Sequence, residues 1–377
     1  MTSGIRLGTI MGIPIRLDYS WFIIFGLVAL SLSFGFFPAA LPKMPVYHYL
    51  LLGLVTTLLF FGSVLLHELA HSYVAIRRGL PVSSITLFIF GGISALEEEP
   101  KSPRVELQMA IIGPLTSLVL AVVFFLIAWG SAAQKSHVWA TATQLWWINA
   151  FVGVFNLLPA FPLDGGRVLR SIVWQVTGSL RKATLAASAV GQGFGYVLIG
   201  LGIVSFFAGG VMSGIWVAFI GWFLLNAAQS SHQQTMLQEA LSGIPVSELS
   251  LAEMPIVAPD MSVQAFVDEY LLRRPENLFP IGGDGRPLGA VGIEEVQNLP
   301  KEEWGTSAVS QIVRAFRDNE VIAHDADAWE AVQRLGQADC ECQFVMRGEQ
   351  LQGVLTRTGV VRWIQTKREL GLTRVGR

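Results

Sequence analysis

The first 231 residues alternate between long apolar segments and short polar ones. A helix needs about 20 predominantly apolar residues to cross a bilayer. Six apolar segments have about this length or more: 21–37 (extendable to 41), 48–76, 105–130, 138–158, 185–207 and 211–226. The Ala208-Gly209-Gly210 run between the last two is a turn signal. The pattern predicts a polytopic α-helical membrane protein with about six transmembrane helices.

Two stretches of this part have strand patterning instead. Residues 5–7 and 13–17 alternate around Gly12 and predict a small hairpin at the membrane edge. Residues 84–90 and 93–96 flank Gly91-Gly92 and predict a second hairpin with its turn at these glycines. A lone hairpin has an unpaired edge, which could bind an extended substrate. The alternative is a packing element that covers the preceding helix.

The C-terminal part has a mixed α/β pattern that occurs twice. Strand, helix, strand, strand and helix follow one another from residue 245, and the same order returns from residue 308. Residues 232–244 lie between this part and the last apolar segment. We therefore predict a transmembrane domain at 1–231, a linker at 232–244 and a C-terminal domain at 245–377.

Composition and charge support this division. The chain is 52% hydrophobic and 14% charged, which is too apolar for an ordinary soluble protein. Residues 1–231 carry 12 Lys and Arg against 7 Asp and Glu, whereas residues 232–377 carry 14 against 21. Ten of the 12 basic residues lie at the N-terminus or after the second and fourth predicted spans. The positive-inside rule then predicts cytoplasmic N- and C-termini. We expect the membrane to be a prokaryotic inner or plasma membrane.

The second apolar segment contains the motif His67-Glu68-Leu69-Ala70-His71. An ionisable residue at membrane depth is costly and usually marks a functional site. On a helix, His67 and His71 lie one turn apart on the same face and can bind one Zn²⁺. Glu68 lies beside them, where it could accept a proton from an activated water. The spacing is typical of a metalloprotease, here within the membrane.

A third zinc ligand is needed, because catalytic zinc usually has three protein ligands and one open position. Asp164 and Glu68 are the carboxylates that we place among the apolar spans. Pro159 and Pro162 break the fourth span just before Asp164, and such a break is tolerated where it lines a cavity or is buried in protein. Asp164 is therefore our candidate ligand. The alternative is a cap on the helix that starts near residue 168.

These motifs together resemble the site-2 protease family of intramembrane metalloproteases. The matching parts are His67-Glu68-x-x-His71, Phe90-Gly91-Gly92, Gly113-Pro114 and the stretch from Asn156 to Gly165. The resemblance implies one Zn²⁺ held by His67, His71 and Asp164. It also implies catalysis by Glu68 and Asn156, substrate binding by Asn156 and Phe90-Gly91-Gly92, and cleavage of transmembrane segments of regulatory membrane proteins. No loop is long enough for a PDZ insertion, so the chain resembles the compact branch of the family.

The repeated C-terminal pattern resembles a pair of CBS domains, modules that often bind adenosyl nucleotides. The ribose-binding pattern of that family is incomplete here. Glu295 lies in a Gly292-Ile293-Glu294-Glu295 stretch that lacks the hydroxyl, and Thr356 begins a stretch that lacks the acid. A nucleotide bound by Glu295 and Thr356 is therefore one hypothesis, and a dimerisation or substrate-docking module is the other.

These features lead to one main functional hypothesis and one alternative. The main hypothesis is an intramembrane zinc protease whose partners are the lipid bilayer, a transmembrane protein substrate and a second copy bound through the CBS pair. We expect no nucleic-acid partner. The alternative is a zinc transporter gated by the C-terminal domain, which would explain the histidines but not Glu68 between them.

Overall fold

The protein divides into two compact units. A computed structural model describes residues 4–96, 100–134, 136–249, 251, 253–274, 276–336 and 342–370. The units comprise Met1–Thr235 and Met236–Arg377.

The first unit consists mainly of helices. Its helices are α1 Tyr19–Ser31, α2 Phe37–Ala40, α3 Val46–Arg77, α4 Pro103–Ser131, α5 His137–Asn156, α6 Asp164–Thr177, α7 Leu180–Phe207 and α8 Val211–Leu241. A π-helical turn at Leu32–Phe36 joins α1 to α2. Side chains that accept a backbone N–H cap the starts of α1, α4, α5 and α7, as is usual at helix N-termini. The capping residues are Asp18, Ser102, Ser136 and Ser179.

Five helical segments within the described residues are long and apolar enough to cross a membrane. They are Tyr19–Ala40, Val46–Arg77, Pro103–Ser131, Leu180–Phe207 and Val211–Gln238. The prediction of a polytopic α-helical membrane protein is confirmed, and five of its six predicted spans correspond to these segments. The fourth predicted span forms helix α5, but this helix is not among the five. Polar residues such as Thr141, Gln144 and Asn149 lower its hydropathy.

Helix α3 buries its polar side chains and exposes apolar ones. Thr57, His67 and His71 are buried, whereas Leu58 and Leu66 are about half exposed, at 52% and 48%. A helix in water has the opposite arrangement. The apolar outer surface is what a lipid environment requires, and the inward face brings the two histidines into the protein.

The two predicted hairpins form one sheet. Its strands are β1 Gly4–Ile10, β2 Ile13–Asp18, β3 Val82–Phe88 and β4 Gly91–Leu96, in the order β1-β2-β3-β4. β2 and β3 pair in parallel, so the prediction of a lone second hairpin is wrong. The turn is at Ile89-Phe90, and Gly91 and Gly92 begin β4 instead of forming the turn. β4 lies at one edge of the sheet.

Helix α8 extends beyond the last apolar segment to Leu241. Most of the predicted linker at 232–244 is therefore helical. The boundary between the two compact units lies within this helix, after Thr235.

The second unit contains two small sheets with short helices. Its strands are β5 Leu278–Gly283, β6 Arg286–Gly292, β7 Val321–Ala323, β8 Cys342–Arg347 and β9 Gln350–Thr356. Its helices are α9 Val263–Phe266, continued by a π-helical turn at Val267–Leu271, α10 Ile293–Gln297, α11 Ala328–Leu335 and α12 Arg357–Glu369.

The predicted repeat is visible in the strand pairing of this unit. β7 pairs in parallel with β8, which pairs antiparallel with β9. β5 and β6 form the corresponding antiparallel pair, and Val257 forms a parallel bridge to Ile281 at the place that β7 occupies in the other sheet. The unit has two apolar cores, and the opening segment of each half packs into the core of the other half. Val246 and Leu249 join the core around Ile322 and Val345, and Val309 joins the core around Val257 and Phe279.

An ion network joins residues of both halves. Arg314 donates to both carboxylate oxygens of Glu320 at 2.7 Å and to Glu295 at 2.7 Å. Burial alone would raise the pKa of Glu320, but the hydrogen bonds from Arg314 and from the Arg317 backbone lower it below its ordinary value. The hydrogen bonds to Glu320 and Glu295 raise the pKa of Arg314. Glu320 therefore stays ionised and contributes stability that is lost only as the pH falls through this lowered pKa.

Candidate metal centre

His67, His71 and Asp164 form a compact cluster of potential metal ligands. His67 Nε2 and His71 Nε2 are 3.1 Å apart. Asp164 Oδ2 lies 3.1 Å from His67 Nε2 and 3.2 Å from His71 Nε2. Both histidines are buried, and the three ligand atoms belong to the same potential metal site.

Hydrogen bonds fix the orientation of both imidazole rings. The backbone carbonyl of Met109 in α4 lies 2.6 Å from His71 Nδ1. A carbonyl only accepts, so His71 Nδ1 carries the hydrogen and the lone pair is on Nε2. Ser117 lies eight residues after Met109 in α4. Its hydroxyl is 2.9 Å from His67 Nδ1 and can accept a hydrogen bond in the same way. Partners of this type orient metal-binding histidines and increase their basicity.

Asp164 reaches this cluster because the polypeptide breaks between two helices. α5 ends at Asn156 and α6 begins at Asp164 itself. The cap position belongs to Leu163, so Asp164 is not the helix cap that the alternative prediction required. A Cβ on Gly165 would overlap the backbone of Leu157 and Leu158, which explains why glycine follows the aspartate.

The donor set fits a zinc ion. Ligands about 2.0–2.1 Å from a tetrahedral Zn²⁺ are roughly 3.3 Å apart, close to the three distances observed. Three lone-pair-bearing atoms this close repel one another unless a cation or a proton lies among them. Two imidazoles and one carboxylate also match the ligand types that zinc prefers.

Gly113 in α4 lies directly behind the cluster. A Cβ at this position would overlap His71 Nε2 and lie 2.7 Å from His67 Nε2. Any side chain would therefore displace the ligand atoms. This close contact explains why the first position of the Gly113-Pro114 motif is glycine.

Glu68 lies beside the cluster and contacts strand β4. Its Oε2 accepts a hydrogen bond from the Ser94 hydroxyl at 2.8 Å, and Ser94 in turn accepts from Ser72 at 3.2 Å. A Cβ on Gly92 would overlap Glu68 Cγ and lie 2.9 Å from Cδ. Gly92 thus allows β4 to pass closely over the carboxylate of Glu68.

The other predicted site residues have different surroundings. Phe90 stacks on Phe223 of α8, with ring centroids 3.9 Å apart, so its side chain packs within the protein. Asn156 is half-buried at the end of α5. Glu295 accepts from Arg314 and from the Gly292 backbone at 2.8 Å, and Thr356 accepts from the Gly359 backbone at 3.1 Å.

Several residues of the site were not predicted from the sequence. Ser94, Ser117 and the Met109 carbonyl orient the central side chains. Glu106 of α4 is a third carboxylate in an apolar span, fully buried and paired with Arg170 of α6. Glu106 lies at the start of the third predicted span, and a carboxylate at such a place is the signal that could have suggested a buried partner.

Comparison with known proteins identifies the family. The model of peptidase family M50 matches residues 55–134 and 127–200. A Synechocystis protein named as a zinc metalloprotease, sll0528, is 34% identical over 97% of this chain and 97% of its own length. The solved site-2 protease of Methanocaldococcus jannaschii is 30% identical, covers 61% of this chain and 95% of its own, and superposes with a TM-score of 0.43. The CBS domain of a bacterial CNNM/CorC family Mg²⁺ transporter in complex with ATP matches at 15% identity, covers 36% of this chain and 97% of its own, and has a TM-score of 0.30.

The apolar helices, the family model and the named relatives identify an integral membrane metalloprotease. The chain belongs to peptidase family M50. It is an intramembrane zinc protease of the site-2 protease type, as the sequence motifs predicted.

Proposed function

We propose that this protein cleaves transmembrane segments of regulatory membrane proteins at a zinc site formed by His67, His71 and Asp164. The observation that supports this most directly is the triangle of ligand atoms, with sides of 3.1, 3.1 and 3.2 Å. Bound zinc would polarise a water molecule and lower its pKa toward neutrality.

Glu68 is the general base in this proposal. It neighbours His67 in sequence but its carboxylate is bonded to Ser94 instead of joining the ligand cluster, so it remains available for proton transfer. It would accept the proton of the attacking water and donate it to the leaving amine. Asn156, an amide at the break between α5 and α6, is proposed to contact the substrate backbone or the developing oxyanion.

The edge of β4 is the proposed binding surface for the substrate backbone. A transmembrane helix satisfies its own backbone hydrogen bonds, so it must unwind before a peptide bond can be attacked. An unwound segment could recover these bonds by pairing with β4. Gly92 and Ser94 of this strand both contact Glu68, so a segment paired there would pass close to the proposed base.

Replacing Ile93 with Pro tests this surface. The side chain of Ile93 is 54% exposed on the edge strand, and its backbone N–H faces Thr86 of β3 in this register. Pro removes that N–H, so the change distorts β4 and the edge that it presents. We expect cleavage to fall about tenfold or more, the equivalent of one or two lost hydrogen bonds, with zinc content unchanged. Ile93→Thr keeps the N–H and is the matched control. Phe88→Pro is less informative, because β3 lies between β2 and β4 and the change would disrupt the sheet itself. Wild-type cleavage by Ile93→Pro would remove β4 from the mechanism.

The identity of the substrate can be tested in membranes. Proteins would be compared between cells carrying the wild-type chain and cells carrying Glu68→Gln. We expect fragments cut inside a transmembrane segment in the wild type alone. The cut is expected toward the side of Arg77 and Arg78, because His71 precedes them by six and seven residues, about 9–10 Å along a helix. By the positive-inside rule, we propose that this side and both termini are cytoplasmic.

For the C-terminal unit we propose docking or self-association instead of nucleotide binding. The polar groups of Glu295 and Thr356 already have partners within the chain. A nucleotide would have to displace Arg314 from Glu295 and break part of the ion network. Calorimetric titration of the full-length protein with ATP, ADP and AMP tests this, and saturable heat would favour the nucleotide hypothesis.

A further inference from the structure

A buried ion pair connects α4 to α6. Glu106 is fully buried and Arg170 is 8% exposed. Arg170 donates from both Nε and Nη2 to the same oxygen of Glu106, Oε1. Among the described residues, Oε2 has no hydrogen-bond partner, and a second cation, Arg167, has its Nε 3.9 Å from Oε1. The position of Glu106 therefore depends chiefly on Arg170.

Arg170 also contacts the segment that carries Asp164. Its guanidinium lies over the ring of Phe161, 5.3 Å from the centroid. Phe161 belongs to the non-helical stretch between Asn156 and Asp164. Arg170 is a residue of α6, and its side chain contacts both Glu106 of α4 and Phe161 of the broken segment.

The two helices joined by this pair supply different parts of the metal centre. α4 provides the Met109 carbonyl and the Ser117 hydroxyl, which orient His71 and His67. α6 begins with Asp164, and Arg170 lies six residues later, about 9 Å along its axis. The distance between α4 and α6 therefore determines whether Asp164 Oδ2 meets both Nε2 atoms.

We propose that the Glu106–Arg170 pair is a positioning device that holds Asp164 against the two histidines and so sets the zinc affinity of the site. This rests on the proposed role of Asp164 as a zinc ligand. The hydrogen bonds and ion pairs of the described residues link neither Glu106 nor Arg170 to the ligand cluster, so both act through the helices that they join. Separating a buried pair leaves an uncompensated charge, and this cost keeps the helices in register.

The test is the zinc affinity of the full-length protein in detergent, measured by competition with a chromophoric chelator. The variants are Glu106→Gln, Arg170→Gln, the double variant and Arg170→Lys, and folding is checked by circular dichroism and gel filtration. We expect each Gln variant to lose about 10–100-fold in zinc affinity, as is typical when support of metal ligands is removed. The double variant should lose no more than either single one, because both remove the same connection.

Arg104→Gln is the matched control. It removes a positive charge two residues before Glu106, but from an exposed side chain, and zinc affinity should stay at the wild-type value. Excess zinc should restore much of the activity of the Gln variants, which a general folding defect would not allow. Arg170→Lys keeps the charge but loses the paired donors, so we expect it to fold and to bind zinc more weakly than the wild type.

Two results would contradict different parts of this account. Wild-type zinc affinity in the folded fraction of the pair variants, with zinc lost from Asp164→Asn, would overturn the positioning role alone. Zinc retained by Asp164→Asn at the wild-type affinity would overturn the proposed ligand set, and the positioning role with it.

Discussion

Replacing Glu68 with Gln is expected to reduce proteolysis by at least about 10²–10⁴-fold while the protein keeps its zinc. Gln has almost the same shape and its carbonyl oxygen can still accept from Ser94, but it cannot accept a proton. Glu68 is not part of the ligand cluster, so the metal site should be undisturbed. The measurements are cleavage of a transmembrane substrate in liposomes and the zinc content of the same preparation.

The same variant separates a protease from a zinc transporter. Zinc flux through a transporter would largely survive the change, because it needs the metal ligands and not a general base. Loss of cleavage without any measurable zinc flux in either protein is the result that we expect. Cleavage at the wild-type rate by Glu68→Gln would mean that another group acts as the base.

Replacing Gly113 with Ala is expected to lower zinc affinity by at least about 100-fold and to abolish cleavage with it. The added methyl group would overlap His71 Nε2 and crowd His67 Nε2. Alanine also stabilises a helix interior by about 1 kcal/mol relative to glycine, so weakening of α4 cannot explain the loss. Zinc content after dialysis and cleavage in the presence of added zinc are the two measurements.

Gly130→Ala is the control for this prediction. Gly130 lies in the same helix, and a Cβ there would meet nothing within 4 Å. It should therefore bind zinc and cleave substrate like the wild type. A fully active, zinc-replete Gly113→Ala protein would show that α4 can move away from the histidines, and that the close contact is not required.

Short sequence patterns were enough to predict the residues of the metal site whose positions depend on their immediate neighbours in the chain. The spacing of His67 and His71 fixes them on one helix face, and the prolines before Asp164 indicated the break that brings this residue inward. The helical segments followed from hydropathy, except that α5 is less apolar than its length suggested.

Features that depend on distant pairing could not be predicted in this way. The parallel pairing of β2 with β3 joins Ile15 to Ile85, and nothing in either segment specifies its partner. Glu106 lies only four residues into α4, and its burial depends on Arg170, 64 residues later. Alternation and spacing describe one element at a time, whereas register and ion pairing are set by the assembled core.

The hydrogen bond from His71 to the Met109 carbonyl has a consequence for how this site tolerates sequence change. The accepting atom belongs to the main chain, so every residue that keeps α4 helical supplies it. Position 109 can then vary in size and polarity among related chains, within the limits of its packing, without altering the orientation of the imidazole. A contact that orients His71 is thus made by the main chain, and a comparison of residue types among related chains would overlook it.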